Sequence, residues 1–134
     1  MIIVPKDYRH EYSAARVLIA WDASIHAARA VAAALPLLST ASEIEVLTIR
    51  EAHKGEDLRG PALVKHLHLH DLNAELTVRD DPDIPKAIVR QAEVFRASLT
   101  VMGGYGHSRF REFIFGGATR HMLSALQNPV LMVH

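Results

Sequence analysis

Five glycines, Gly103, Gly104, Gly106, Gly116 and Gly117, fall within fifteen residues directly after the apolar run "SLTVM". In a loop, glycine admits positive φ or the close approach of another group to the main chain. Gly103, Gly104 and Gly106 leave backbone N–H groups unshielded by a side chain. Gly116 and Gly117 open the last expected helix, whose N-terminal N–H groups and partial positive charge favour an anion. The spacing suits a phosphate cradle, and it equally suits a plain turn leading a strand into a helix. Two familiar phosphate motifs are missing. No Gly-x-x-x-x-Gly-Lys-Ser/Thr occurs, and Gly104-Tyr105-Gly106 lacks the third glycine of a dinucleotide fingerprint.

Other polar residues offer less chemistry. His66, His68 and His70 alternate in "HLHLHD". On a helix His66 and His70 share a face, and on a strand all three align; with no second ligand group at hand the expectation is a solvated or partner-facing helix and no metal. His107 beside Ser108 makes no catalytic dyad, because adjacency in sequence is not the required geometry and no Gly-x-Ser-x-Gly elbow is present. Arg109, Arg111 and Arg120 could neutralise phosphates or simply be solvated, and Phe110, Phe113 and Phe115 are suited to burying the loop or a partner surface. No nucleophile or acid–base pair has supporting spacing, so an enzyme is not expected.

Composition narrows the class. The 134 residues are 49% hydrophobic and 22% charged, enough for one globular domain with a core. Fifteen basic and fifteen acidic side chains cancel, so nothing global attracts nucleic acid or an anionic membrane. There is no cysteine, no secretory h-region and no long apolar span, which points to the cytoplasm.

The elements that must position the glycines repeat as strand and helix. "RVLIAW" (16–21) is nearly all apolar, as a strand buried on both faces must be, and ends at Asp22. Ser24 is a fitting N-cap for "IHAARAVAAALPLL", which Pro36 should kink or end. "EIEVLTI" (43–49) is a strand; after a polar break over 54–61 come "ALVKHLHLHDL" as helix and "AELTVRD" (74–80) as strand. Asp83 caps the next helix with Pro85 in its first turn, followed by the strand "SLTVM", the helix "GATRHMLSALQ" and the strand "PVLMV". Five strands alternating with four helices predict an α/β fold with a five-stranded parallel sheet covered on both faces. Ligands in such sheets sit at the carboxyl ends of the strands, where strand order reverses. If strands one and four are neighbours there, Asp22 and Gly103 meet across the site. A carboxylate in that position can accept an amino-group hydrogen bond.

"VLIAWDAS", together with Gly103, two residues, Gly106, nine residues and Gly116, resembles the universal stress protein family, and the likeness runs from about Arg16 to His134. The resemblance implies a Rossmann-like sheet of order 3-2-1-4-5 and a stress-response regulator binding an adenine nucleotide, ATP foremost, between the strand-one aspartate and the glycine loop. The binding positions it implies are Ala20, Trp21 and Asp22; Thr48 and Ile49; Met102, Gly103, Gly106 and His107; and Gly116, Gly117, Ala118 and Thr119. Gly117 stands where ATP-binding members carry Ser or Thr, and Ala23 replaces the glycine common after the aspartate. These departures resemble the second half of tandem members and keep open a dimerising scaffold or adaptor with a vestigial pocket and no nucleotide.

Residues 1–15 form an N-terminal arm or the remnant of a preceding repeat, and residues 16–134 the domain. "PVLMV" should be an apolar edge strand. Its cover is a second copy, in the homodimer through the last strand that the resemblance implies, or "MIIVP" added to the sheet; the homodimer is the expectation.

Overall fold

The computed structural model describes residues 1–9, 14–50, 57–104 and 117–133. Six strands and four helices follow one another as β1 (Ile2–Ile3), β2 (Arg16–Ala20), α1 (Ile25–Leu38), β3 (Glu43–Arg50), α2 (Arg59–Leu69), β4 (Ala74–Asp80), α3 (Ile84–Phe95), β5 (Leu99–Gly103), α4 (Gly117–Ala125) and β6 (Val130–Val133). They form one sheet of order β1-β6-β5-β2-β3-β4. The five strands from β2 onward pair in parallel, and their order, counted from β2, is the expected 3-2-1-4-5.

The sixth strand is the difference from expectation. β1 pairs antiparallel with β6, Ile2 opposite Leu131 and Ile3 opposite Val130. The Met1 ammonium donates to the Met132 carbonyl at 3.1 Å, and the Met132 N–H donates back to the Met1 carbonyl at 2.9 Å. The "PVLMV" strand is therefore not a bare edge, because the chain's own N-terminal segment lies along it.

Period-two alternation divides the core. Val17 and Ile19 of β2, Ile44 and Val46 of β3, Leu99 and Val101 of β5 and Leu131 of β6 pack toward Ala30, Val31, Ala34 and Leu38 of α1 and Leu63 and Leu67 of α2. Leu18, Leu47, Met102, Val130 and Met132 face the other way, onto Ile88, Ala92 and Phe95 of α3 and Met122 and Leu126 of α4. Two-sided burial is why these strands are apolar at almost every position. Thr100 and Asn128 are buried polar exceptions that satisfy each other, the Asn128 amide donating to Thr100 Oγ1 at 2.8 Å.

Local boundaries follow capping chemistry. Ser24 caps α1, accepting the Ala27 N–H, and Asp83 caps α3, accepting that of Lys86. Pro36 lies in the last turn of α1, which ends two residues later. α2 begins at Arg59, earlier than expected, with Pro61 in its first turn, where no N–H partner is needed.

Candidate functional site

β2 and β5 are neighbours at the centre of the sheet, in register with Ala20 opposite Met102. The helix after β2 packs on one face and the helix after β5 on the other, so strand order reverses between them. Asp22 leaves the end of β2 and Gly103 ends β5, which brings the two residues singled out by sequence to the same edge.

The backbone at Asp22 turns sharply into α1. One carboxylate oxygen, Oδ1, accepts the Ser24 N–H at 2.9 Å, while Oδ2 accepts no hydrogen bond from the described residues and the Arg59 guanidinium acts on the carboxylate through charge alone. Between them Ala23 sits at φ 61°, the left-handed region that glycine occupies without a Cβ penalty. Ala23→Gly should therefore stabilise the fold, by about 0.5–1 kcal/mol after the added freedom of the unfolded chain is counted. Chemical denaturation midpoints measure this, and an unchanged or lower midpoint would contradict it.

Gly103 is glycine for a packing reason. A Cβ there would meet the Ala27 nitrogen at 2.5 Å and the His26 carbonyl carbon at 2.8 Å, both main-chain atoms in the first turn of α1. The helix start is laid directly on the strand end. Gly104 is likewise engaged: its N–H donates to the Val133 carbonyl at 2.7 Å, so it continues the β5–β6 ladder and is not the unshielded donor expected from sequence.

The family model for the universal stress protein family matches residues 14–134. The chain belongs to the universal stress protein family. No curated protein matches it in sequence. Among solved structures, a universal stress protein from Archaeoglobus fulgidus DSM 4304 superposes with a TM-score of 0.71 at 20% identity over 89% of this chain. That relative is longer, and this chain spans 43% of its length. The hypothetical protein MJ0577 gives 0.73 at 18% identity, covering 91% of this chain and 95% of its own. A universal stress protein in complex with cAMP gives 0.63 at 18% identity over 89% of this chain and 96% of its own. At such identities the likeness carries the fold.

Within this universal stress protein fold, the remaining predicted positions divide. Trp21 is half-buried; its N–H extends the pairing to β3 by donating to the Leu47 carbonyl, and its indole Nε1 donates to the Arg59 carbonyl at 3.1 Å. That is a packing role. Thr48 is 1% exposed, and its Oγ1 has no hydrogen-bond partner among the described residues, a buried polar atom at the carboxyl half of β3. Met102 belongs to the core on the α3 side, and Ala20 and Ile49 pack against it. Gly117, Ala118 and Thr119 form the first turn of α4. Gly106, His107 and Gly116 lie outside the described residues, as do Ser108, Arg109, Arg111 and the three loop phenylalanines.

Sequence reading missed a charged pair at this edge. Arg59 donates from Nε to Asp57 Oδ1 at 2.9 Å and from Nη2 to Oδ2 at 2.7 Å, a two-pronged contact at the start of α2. Both residues fall in the stretch read as a polar break, where only an acidic residue two positions ahead of a helix start hinted at a role. The Asp57 carboxylate raises the Arg59 pKa, and Asp22 adds to the same effect. In return, hydrogen bonding to Arg59 holds the Asp57 carboxyl below its usual 3.8. A depressed carboxyl contributes stability that is present above the unfolded value and is lost as pH falls through the folded one. Asp57→Asn should thus destabilise the fold near neutrality, with the gap to wild type closing below pH 3.8. Urea unfolding at about pH 7 and about pH 3 measures both arms; a gap independent of pH would refute the pairing as its cause.

Proposed function

We propose that this chain is a regulatory universal stress protein domain that binds an adenine nucleotide, ATP foremost, at the edge shared by β2 and β5. The observation that carries the reading is the placement of Asp22 and Gly103 at the same strand ends of the switch point, with Asp22 Oδ2 accepting no hydrogen bond among the described residues. A carboxylate oxygen free to accept at this position suits the exocyclic amino group of a base, and the N-terminus of α4, which begins at Gly117, suits the phosphates. The complex of a similar universal stress protein with cAMP supports the ligand class. Stress-linked signalling in the cytoplasm, without turnover by an enzyme of the usual kind, belongs to the same proposal. Among the described residues, no helix is long and apolar enough to cross a membrane.

One observation favours the second reading, a scaffold with a vestigial pocket: the Gly104 N–H is committed to Val133, and Gly117 supplies no hydroxyl. Calorimetric titration with ATP, ADP, AMP and cAMP separates the two. Saturable binding of at least one supports the nucleotide reading, and the absence of heat and of any thermal shift from all four leaves the scaffold.

Assembly as a homodimer through the last strand is part of the proposal, with one constraint. A partner must displace Ile2–Ile3 from β6 or add to the outer side of β1. Sedimentation at micromolar concentration should show a dimer; a strict monomer would rule this out.

A further inference from the structure

Of the three alternating histidines, His66 and His68 lie in the last turn of α2 and His70 is the residue that caps its C-terminus. All three are exposed, but His68 turns its Nε2 to the Ala74 carbonyl at 3.0 Å, linking α2 to β4, whereas His66 and His70 come together edge to face, ring centroids 4.8 Å apart and planes inclined by 66°. Positions four apart on a helix lie one above the other, which is why these two meet and His68 does not.

We infer that His66 and His70 form a two-imidazole chelate for a first-row transition dication, at a place remote from the strand-end site and independent of its ligand. A metal–nitrogen bond of about 2.0–2.1 Å puts the ion roughly 3.2 Å from each ring centroid. Two centroids 4.8 Å apart then subtend an angle of about 100° at the ion, between square and tetrahedral values. The rings stand at a centroid separation a chelate can use, and rotation about the side-chain bonds of each brings a nitrogen to the ion. Neutral imidazole selects zinc, nickel and copper over magnesium and calcium, which take oxygen ligands. Among the described residues no group of three or more His, Cys, Asp or Glu side chains is placed to hold a metal, so water fills the other positions and the ion exchanges freely. Copper(II) binds tightest of the series.

The test uses the full chain. Zinc is titrated calorimetrically into wild type, His66→Ala, His70→Ala and His68→Ala, and the nitrogens bound to one equivalent of copper(II) are counted by electron paramagnetic resonance. Removing either ligand should weaken zinc by no less than the roughly 10–100-fold that loss of a supporting group alone costs, and should lower the nitrogen count by one. His68→Ala should leave both unchanged. Circular dichroism verifies that the variants, altered only at exposed positions for His66 and His70, remain folded. Zinc affinity and nitrogen count unaltered in the His66→Ala/His70→Ala double variant would overturn the assignment.

Discussion

Gly103→Ala should lower the melting temperature by roughly 6–10 °C, the equivalent of about 2 kcal/mol for a domain of this size. The added methyl would lie 2.5 Å from the Ala27 nitrogen, 2.8 Å from the His26 carbonyl carbon and 3.0 Å from the Ala27 Cα. All three are main-chain atoms, so no rotamer change relieves the overlap; α1 has to slide off β5. That movement is opposed by Ala30 and Ala34, both fully buried in the core that α1 shares with β2 and β5. Because α1 begins right after the Asp22 turn, the same shift displaces the carboxylate. Differential scanning calorimetry reads the first effect, and a melting temperature within a degree or so of wild type would show that the helix start is not held where it stands.

Asp22→Asn should cut affinity for adenine nucleotides by about 10–100-fold while leaving the fold nearly as stable. The choice of Asn follows from the two oxygens. Oδ1 holds the Ser24 N–H and with it the entry to α1. Asparagine keeps that acceptor, whereas alanine would remove it and mix a folding defect into the measurement. At the position of Oδ2, asparagine presents an N–H₂ group, which sets donor against donor when a base offers its amino group. Titration of ATP into both proteins reads the loss. Equal affinity would take Asp22 out of the binding site, even if nucleotides bind.

The parallel core was legible because physics leaves few alternatives for it. Apolar residues at nearly every position of 16–20 and 99–103, helix caps at Ser24 and Asp83, and right-handed crossovers imply a parallel sheet of few topologies, while the adjacency of β2 and β5 came with the strand order that the family resemblance implied. β1 was harder to read. A two-residue ladder between segments at opposite ends of the sequence has no local signature, and "MIIVP" taken by itself suits any β partner. Gly103 and Gly104 stand at the end of β5, where the sequence reading set a phosphate cradle against a plain turn, and each is glycine for a reason that neither named. Gly103 faces a helix backbone, and Gly104 serves a strand ladder; neither fact has a trace in composition, since close approach to protein and close approach to ligand select the same residue. Asp57 and Arg59 escaped for another reason. Their geometry exists only once α2 starts at Arg59, and that start is marked by Asp57 accepting the Arg59 N–H in place of a side-chain cap from Leu58.

Pairing of β1 with β6 also sets an order of events during synthesis. The two segments lie 131 residues apart where Met1 meets Met132, so at ordinary elongation rates the first waits roughly 7–26 s for its partner to be made. Through that interval Ile2 and Ile3 form a short β-prone stretch whose β6 partner does not yet exist. The edge of β6 has the opposite history. By the time Val130 and Leu131 are added, the two residues that pair with them have long been made, so this edge of the sheet can be covered as soon as it forms.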